Sequence, residues 1–309
     1  MKMNDTIIIR NGHSIAELAL PDPEEGLYRG TRFDHAGIFR SIRCGDHVFS
    51  GRWAEGSVDP YRHDDVTGPV EEFSVMGYDE APVGEGFLKI GVGWLRKTGD
   101  EPYNFRPAYP IIDAGARSVR AEADRVLFRQ RLHAGEWGYD YEKEVRWEQE
   151  DRLVLDHCLA NTGSAPLSGT VYNHNFFTFD AVGTGTGTAV DFPFVPEGEW
   201  RAWPGDAPVG RLTPEGIRLS GDLTPDEKVC IEHLLVADGG PLPYRFSVRN
   251  TRVGLGVDVS SEASLCRIQF WANHRVACVE PFTSFDILSG SVFRWTIVLD
   301  FRCFSPSNT

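Results

Sequence analysis

Near the C-terminus apolar residues recur at every second position: Phe293, Trp295, Ile297, Leu299 and Phe301 share one face, while Thr296, Asp300 and Arg302 take the other. A period of two marks a half-buried β-strand, because successive side chains leave a pleated backbone on opposite sides. The same alternation sets Tyr141, Lys143, Val145 and Trp147 against Glu142, Glu144, Arg146 and Glu148. Further strands are expected at 37–43, 125–132, 152–159, 167–173, 228–236, 245–250, 254–259 and 265–271. Gly (32 residues) and Pro (19) punctuate these runs, and helical periodicity is scarce. The expected fold is therefore all-β: a large antiparallel β-sandwich with few and short helices.

Two segments break the pattern, 50–86 and 181–227; both are long, poorly periodic and expected to be loops carried by a rigid scaffold. The second holds an alternating Gly-Thr run at 183–188, which lacks the Gly-Lys-Ser/Thr ending of a phosphate loop and reads as a turn or crossover. With room for one large core or two modest ones and no repeat or linker standing out, residues 1–309 are expected to form a single domain. The formal net charge of −14 argues against a phosphate-backbone binder and against a surface for anionic lipid. Asn4, Asp5, Arg10, Asn11 and His13 interrupt the N-terminal apolar runs, so no leader core is drawn there and a cytoplasmic location is expected. Cys44, Cys158, Cys230, Cys266, Cys278 and Cys303 are widely spaced without a CxxC pair, and are expected to be reduced and buried. No metal, nucleotide or other cofactor is called for.

Two short segments carry candidate chemistry. Val171-Tyr172-Asn173-His174-Asn175-Phe176-Phe177 closes a strand with a polar triplet, and Ala277-Cys278-Val279-Glu280-Pro281-Phe282 puts an acid between an apolar strand and a proline. A glutamate in such a setting is costly unless paired or used, and Pro281 biases Glu280 towards extended backbone. The plain alternatives are a histidine that caps its strand and a glutamate in an ordinary surface pair.

Their order favours more than that. The sequence resembles the galactose mutarotase (aldose 1-epimerase) family, which carries an Asn-His-x-x-Phe segment at mid-chain and a Leu/Ile-Glu-Pro segment near the C-terminus. Asn173–Phe177 and Val279-Glu280-Pro281 match these, and Gly37–Ile42 followed by Gly45–Val48 is similar to the family's opening hairpin. The resemblance implies a sugar-binding sandwich that interconverts the anomers of a free or modified sugar without metal or nucleotide. It implies Glu280 as general base and His174 as general acid, on opposite sides of the C1–O5 unit. An imidazole suits this work because its pKa lies near neutrality.

The chain also departs from the family. Where the family has an upstream histidine before Gly, Gly84-Glu85-Gly86-Phe87 offers Glu85, with His63 as a replacement from a loop. Glu232-His233 is the nearest string to the family's Asp-His pair, and Gly68–Phe73, which contains Glu72, matches no catalytic element of the family. Substrate contacts are expected from Arg32, His63, Glu72, Glu85, Asn173 and Trp271, with Trp53 a second stacking candidate. The plain readings are a core aromatic, a turn-stabilising Arg32–Asp34 pair and a solvated His63-Asp64-Asp65 loop rather than a cation site. A phosphosugar epimerase is a second enzyme reading, and the absence of a basic cluster in sequence around His174 or Glu280 counts against it. A carbohydrate-binding protein without catalysis is the third. The sequence specifies no oligomeric state.

Overall fold

The computed structural model describes residues 6–205 and 209–306. It opens with β1 (Thr6–Asn11), β2 (Ser14–Ala19), β3 (Phe39–Cys44) and β4 (His47–Ser50), a four-stranded meander whose β3–β4 hairpin is the one expected from the sequence. Gly45 makes its turn at φ +60°, where an L side chain is strained. Next come β5 (Val70–Phe73), β6 (Gly86–Lys89), β7 (Gly93–Arg96) and β8 (Ile111–Asp113), the last three forming a small sheet. The long strands follow: β9 (Ala116–Ala121), β10 (Arg125–Ala134), β11 (Trp137–Gln149), β12 (Arg152–Asn161) and β13 (Leu167–His174). Short strands β14 (Thr188–Asp191), β15 (Pro196–Glu197), β16 (Arg201–Trp203), β17 (Gly210–Thr213) and β18 (Gly216–Leu219) lead into β19 (Lys228–Val236). The chain closes with β20 (Arg245–Asn250), β21 (Leu255–Ser260), β22 (Arg267–Asn273), β23 (Ala277–Ile287) and β24 (Val292–Cys303). Among the described residues the only helical piece is a 3-10 turn at His63–Asp65.

Two large antiparallel sheets dominate. One has ten strands in the order β17-β18-β14-β20-β21-β24-β12-β11-β10-β9; the other runs β15-β19-β22-β23-β13-β5, with β16 also on β19. Their inner faces meet through aromatic contacts such as Phe73 to Tyr141 (ring centroids 5.4 Å) and Phe73 to Trp295 (6.2 Å). The expected alternation holds in β24, where Trp295, Ile297, Leu299 and Phe301 are buried and Thr296 and Arg302 exposed. In β11 the inner face carries Lys143, wholly buried beside Tyr141 and Val145.

The two segments expected as loops are not structureless. The first contains β5, an edge strand of the second sheet, and the second contains β14 to β18. Strands of two to four residues are too short for a period of two to show in sequence; their partners across the sheet define them. The cysteine expectation is also corrected in part: all six are free, but Cys266 and Cys303 are exposed. No helix among the described residues is long and apolar enough to cross a membrane.

Candidate active site

The outer face of the second sheet floors a cavity of about 710 Å³. Period-two geometry selects its lining. Tyr172 and His174 point outward from β13, Glu280 and Phe282 from β23, Arg267, Gln269 and Trp271 from β22, and Lys228 and Cys230 from β19. Cross-strand register groups them in rows: Arg267, Phe282, Tyr172 and Glu72 lie opposite one another in turn, and Gln269 faces Glu280 one row further along. Loop residues Arg32, Trp53, His63, Phe105 and Arg106 complete the walls.

Local sequence explains how His174 is held. Asn175, just beyond β13, donates its amide to Asn173 O (3.1 Å) and to Val279 O (2.9 Å), tying the strand end to β23 beside Glu280. Asn175 thus does the capping that the sequence allowed for His174. The imidazole is left to stack on Phe176 (4.6 Å, 15°), with Phe33 edge-on at 5.2 Å.

His174 and Glu280 adjoin. Nδ1 of His174 lies 3.3 Å from Glu280 Oε1 and 3.2 Å from Cys278 Sγ, and the two side chains are only 4% and 3% exposed. The expectation that they stand on opposite sides of a sugar is corrected: they form one wall, on neighbouring strands. On its other edge, Nε2 receives an N–H from Arg32 Nη2 at 2.9 Å. Arg32 also donates to Glu72 Oε2 (2.7 Å) and to the Tyr172 hydroxyl (3.2 Å), and lies 4.0 Å from the Phe105 ring centroid. Tyr172 in turn donates to Glu72, which Lys89 approaches at 3.4 Å.

This geometry fixes the protons. A guanidinium only donates, so Nε2 must offer its lone pair and the ring proton sits on Nδ1, facing Glu280 and Cys278. Burial, then Arg32, hold His174 well below its ordinary pKa, so the ring is neutral. Burial pushes Glu280 up to about 8, with Glu72 adding to the rise against the pull of Arg32. Burial also opposes ionisation of Glu72, but Arg32 and Lys89 outweigh it and keep that carboxyl below its usual range. Both shifts run against the charged forms, the direction opposite to the imidazolium acid and carboxylate base that the family resemblance implies. His174, Cys278 and Glu280 offer ligand-type atoms within 4.8 Å of one another, yet a protonated Nδ1 is no metal ligand.

The sequence-derived candidates divide. Arg32, His63, Trp271, His174 and Glu280 all line the cavity, as does Trp53, whose ring meets Trp271 at 6.0 Å. Glu72 stands behind them, engaged by Arg32. Asn173 is turned away by the parity of its strand: it lies on the inner face and donates to Glu71 at 2.9 Å. Glu85 is exposed at the turn before β6 and is not part of the lining. Glu232 pairs with Arg201 at 2.8 Å and His233 is exposed, both away from the cavity. In the His63-Asp64-Asp65 turn, Asp65 is held by Arg52 (2.7 Å) and Asp64 by His63 (3.2 Å), so its carboxylates are paired rather than simply solvated.

Sequence reading missed Tyr172, although its place two residues before His174 puts both on one face. It also missed Phe105, Arg106, Lys228 and Arg267. With Arg32 these give the cavity four cationic side chains from four separate stretches of chain, so the absence of a local basic run does not describe the folded site.

No family model and no curated protein matches this sequence. Solved structures do. A galactose mutarotase related enzyme from Lactobacillus acidophilus superposes with a TM-score of 0.56 at 12% identity, over 97% of this chain and 98% of that one. A galactose mutarotase-like protein from Clostridium acetobutylicum gives 0.55 at 11% identity, over 97% and 95%. Another, from Lactobacillus casei, gives 0.51 at 11% identity, over 96% and 100%. Strand order, the cavity on one sheet's outer face and these superpositions lead to one conclusion: this chain has the galactose mutarotase-like fold.

Proposed function

We propose that the protein is an aldose 1-epimerase-like isomerase that interconverts the anomers of a sugar at the His174–Glu280 wall. The observation that carries this reading is the pair itself: the His174 imidazole and the Glu280 carboxyl, 3.3 Å apart, at the floor of a cavity flanked by Trp271 and Trp53. In ring opening Glu280 gives its proton to the ring oxygen as the C1–O5 bond breaks. The C1 hydroxyl, displacing Arg32 from Nε2, gives its proton to His174 while its O–H electrons form the aldehyde C=O. The products on the protein are an imidazolium and a carboxylate in contact, an ion pair that the buried setting favours over two separated charges. Rotation about C1–C2 and reversal of both transfers complete the exchange. The acid and base roles are thus exchanged relative to those implied by the resemblance. Free thiols fit the reducing cytoplasmic setting that we propose with this function.

The test is anomer exchange by NMR across a panel of free sugars, sugar acids and sugar phosphates. His174→Asn and Glu280→Gln are each expected to slow exchange by roughly 10²–10⁴-fold with the circular dichroism spectrum retained. Wild-type rates in both variants, on a sugar that the parent accelerates, would end the assignment.

A further inference from the structure

The chain carries a net charge of −14, yet its cavity gathers Arg32, Arg106, Lys228 and Arg267. Their partners differ. Arg32 is neutralised by Glu72 at 2.7 Å. Lys228 sits opposite Asn273, six residues along β22 from Arg267 and hence about 20 Å away at roughly 3.3 Å per residue, too far to share one small anion. Arg106 is exposed on its loop. Arg267 forms no ion pair among the described residues and stands on the floor of the cavity, where its guanidinium lies 3.7 Å from the centroid of the Phe282 ring. Stacking fixes the plane of the guanidinium while leaving its N–H edges free for a bidentate acceptor. Of the acids in the lining, Asp64 is engaged by His63, Glu280 by His174, and Asp226 lies near the Lys228 end of β19.

Position matters as much as charge. Arg267 is two residues before Gln269, the register partner of Glu280, so its row is about 7 Å from the proton-transfer row. That separation is close to the span of one hexose ring. A sugar whose anomeric carbon meets Glu280 would bring its far substituent to Arg267.

We propose that the ligand is an anionic sugar, with a carboxylate or phosphate on its exocyclic carbon, and that Arg267 is the side chain that selects it. The proposal rests on the sugar reading above and adds the substrate class to it.

Methyl glycosides separate the two, because a methylated C1 oxygen blocks ring opening while leaving binding intact. Titrations by tryptophan fluorescence would compare methyl glucoside, methyl glucuronide and methyl glucoside phosphate, with their galacto counterparts. The wild type is expected to bind at least one anionic class roughly 10–100-fold more tightly than the neutral glycosides, as a charge-assisted pair allows. Whichever of uronide and phosphate binds more tightly identifies the group. Arg267→Met is expected to erase that preference, and Arg267→Lys to retain part of it. A wild type that binds anionic glycosides no better than neutral ones overturns the proposal whether or not either variant folds. So does a preference that survives in Arg267→Met. Failure of the parent to exchange anomers of any reducing sugar in the panel, sugar acids and sugar phosphates included, with the anionic preference intact, would sink the epimerase reading alone.

Discussion

Where Arg32 meets Nε2 of His174, one of two buried groups has to give up a proton position, and only the imidazole can. The consequence passes through the ring to Nδ1, which turns its proton towards Glu280, a carboxyl that burial pushes up to about 8. If protonated Glu280 is the acid, kcat/KM falls as pH rises through about 8, because the free enzyme then lacks the proton it must donate. The opposite assignment, with Glu280 as base, gives a rise through the same range. Exchange rates corrected for the uncatalysed reaction, from mildly acidic to alkaline pH, distinguish the two, and a rising limb would overturn the protonation state argued here. Asn173 teaches a related lesson at the same scale. Adjacent residues in a strand point to opposite faces, so His174 in the cavity requires Asn173 in the interior; that was legible from parity alone. The position of Arg32 was not, since Glu72 and Tyr172 lie 40 and 140 residues from it in the chain.

β5 shows how one short element can join the site to the scaffold. Its neighbours Glu71 and Glu72 face opposite ways. Glu72 turns to Arg32, Lys89 and Tyr172 at the cavity, while Glu71 is sealed inside with Lys143 of β11, His157 of β12 (3.0 Å) and Asn173 of β13 (2.9 Å). Burial opposes ionisation of Glu71, but Lys143 and His157 outweigh it and hold the carboxyl down at about 2. Its stabilising contribution is therefore present above the ordinary glutamate pKa and is lost as pH falls through about 2. Glu71→Gln strands the Lys143 charge in the interior, and urea unfolding at neutral pH is expected to show a loss of about 3–5 kcal/mol. A loss below about 1 kcal/mol would mean the network is not what anchors β5. Just before this strand, a Cβ on Gly68 would meet the carbonyl oxygen of His174 at 2.2 Å. The close approach of the two backbones there requires glycine.

At the scale of the molecule, two sheets bury their inner faces against each other, and one outer face is left for loops to cover. His63, Phe105, Trp53 and Trp203 reach that face from separate stretches and turn it into a cavity. Groups that could hold a cation are committed elsewhere: Asp65 to Arg52, and His174 Nδ1, with its proton, to Glu280 and Cys278. Exhaustive chelation is accordingly expected to leave the exchange rate unchanged. Activity lost to chelator and restored by one divalent ion would show that the proton on Nδ1 has been misassigned.

The sequence by itself determined the long strands and singled out two of the residues that line the cavity. Alternation is a local property that the pleat imposes on any half-buried strand, so β11, β12, β13, β19, β20 and β24 could be read from single stretches. His174 and Glu280 were legible because each sits in a short motif at a strand end. Tertiary structure decided the rest. It made Lys143, one charge on an otherwise apolar face, an interior partner of Glu71, and it turned the unpatterned segment around Glu72 into a strand. It also placed Glu280 against His174 rather than across a ring from it, and it drew Arg267 to the same floor in a chain that is acidic overall. Each of these depends on contacts between residues far apart in sequence, and on desolvation, which no local pattern encodes because water is excluded only after the sheets have met.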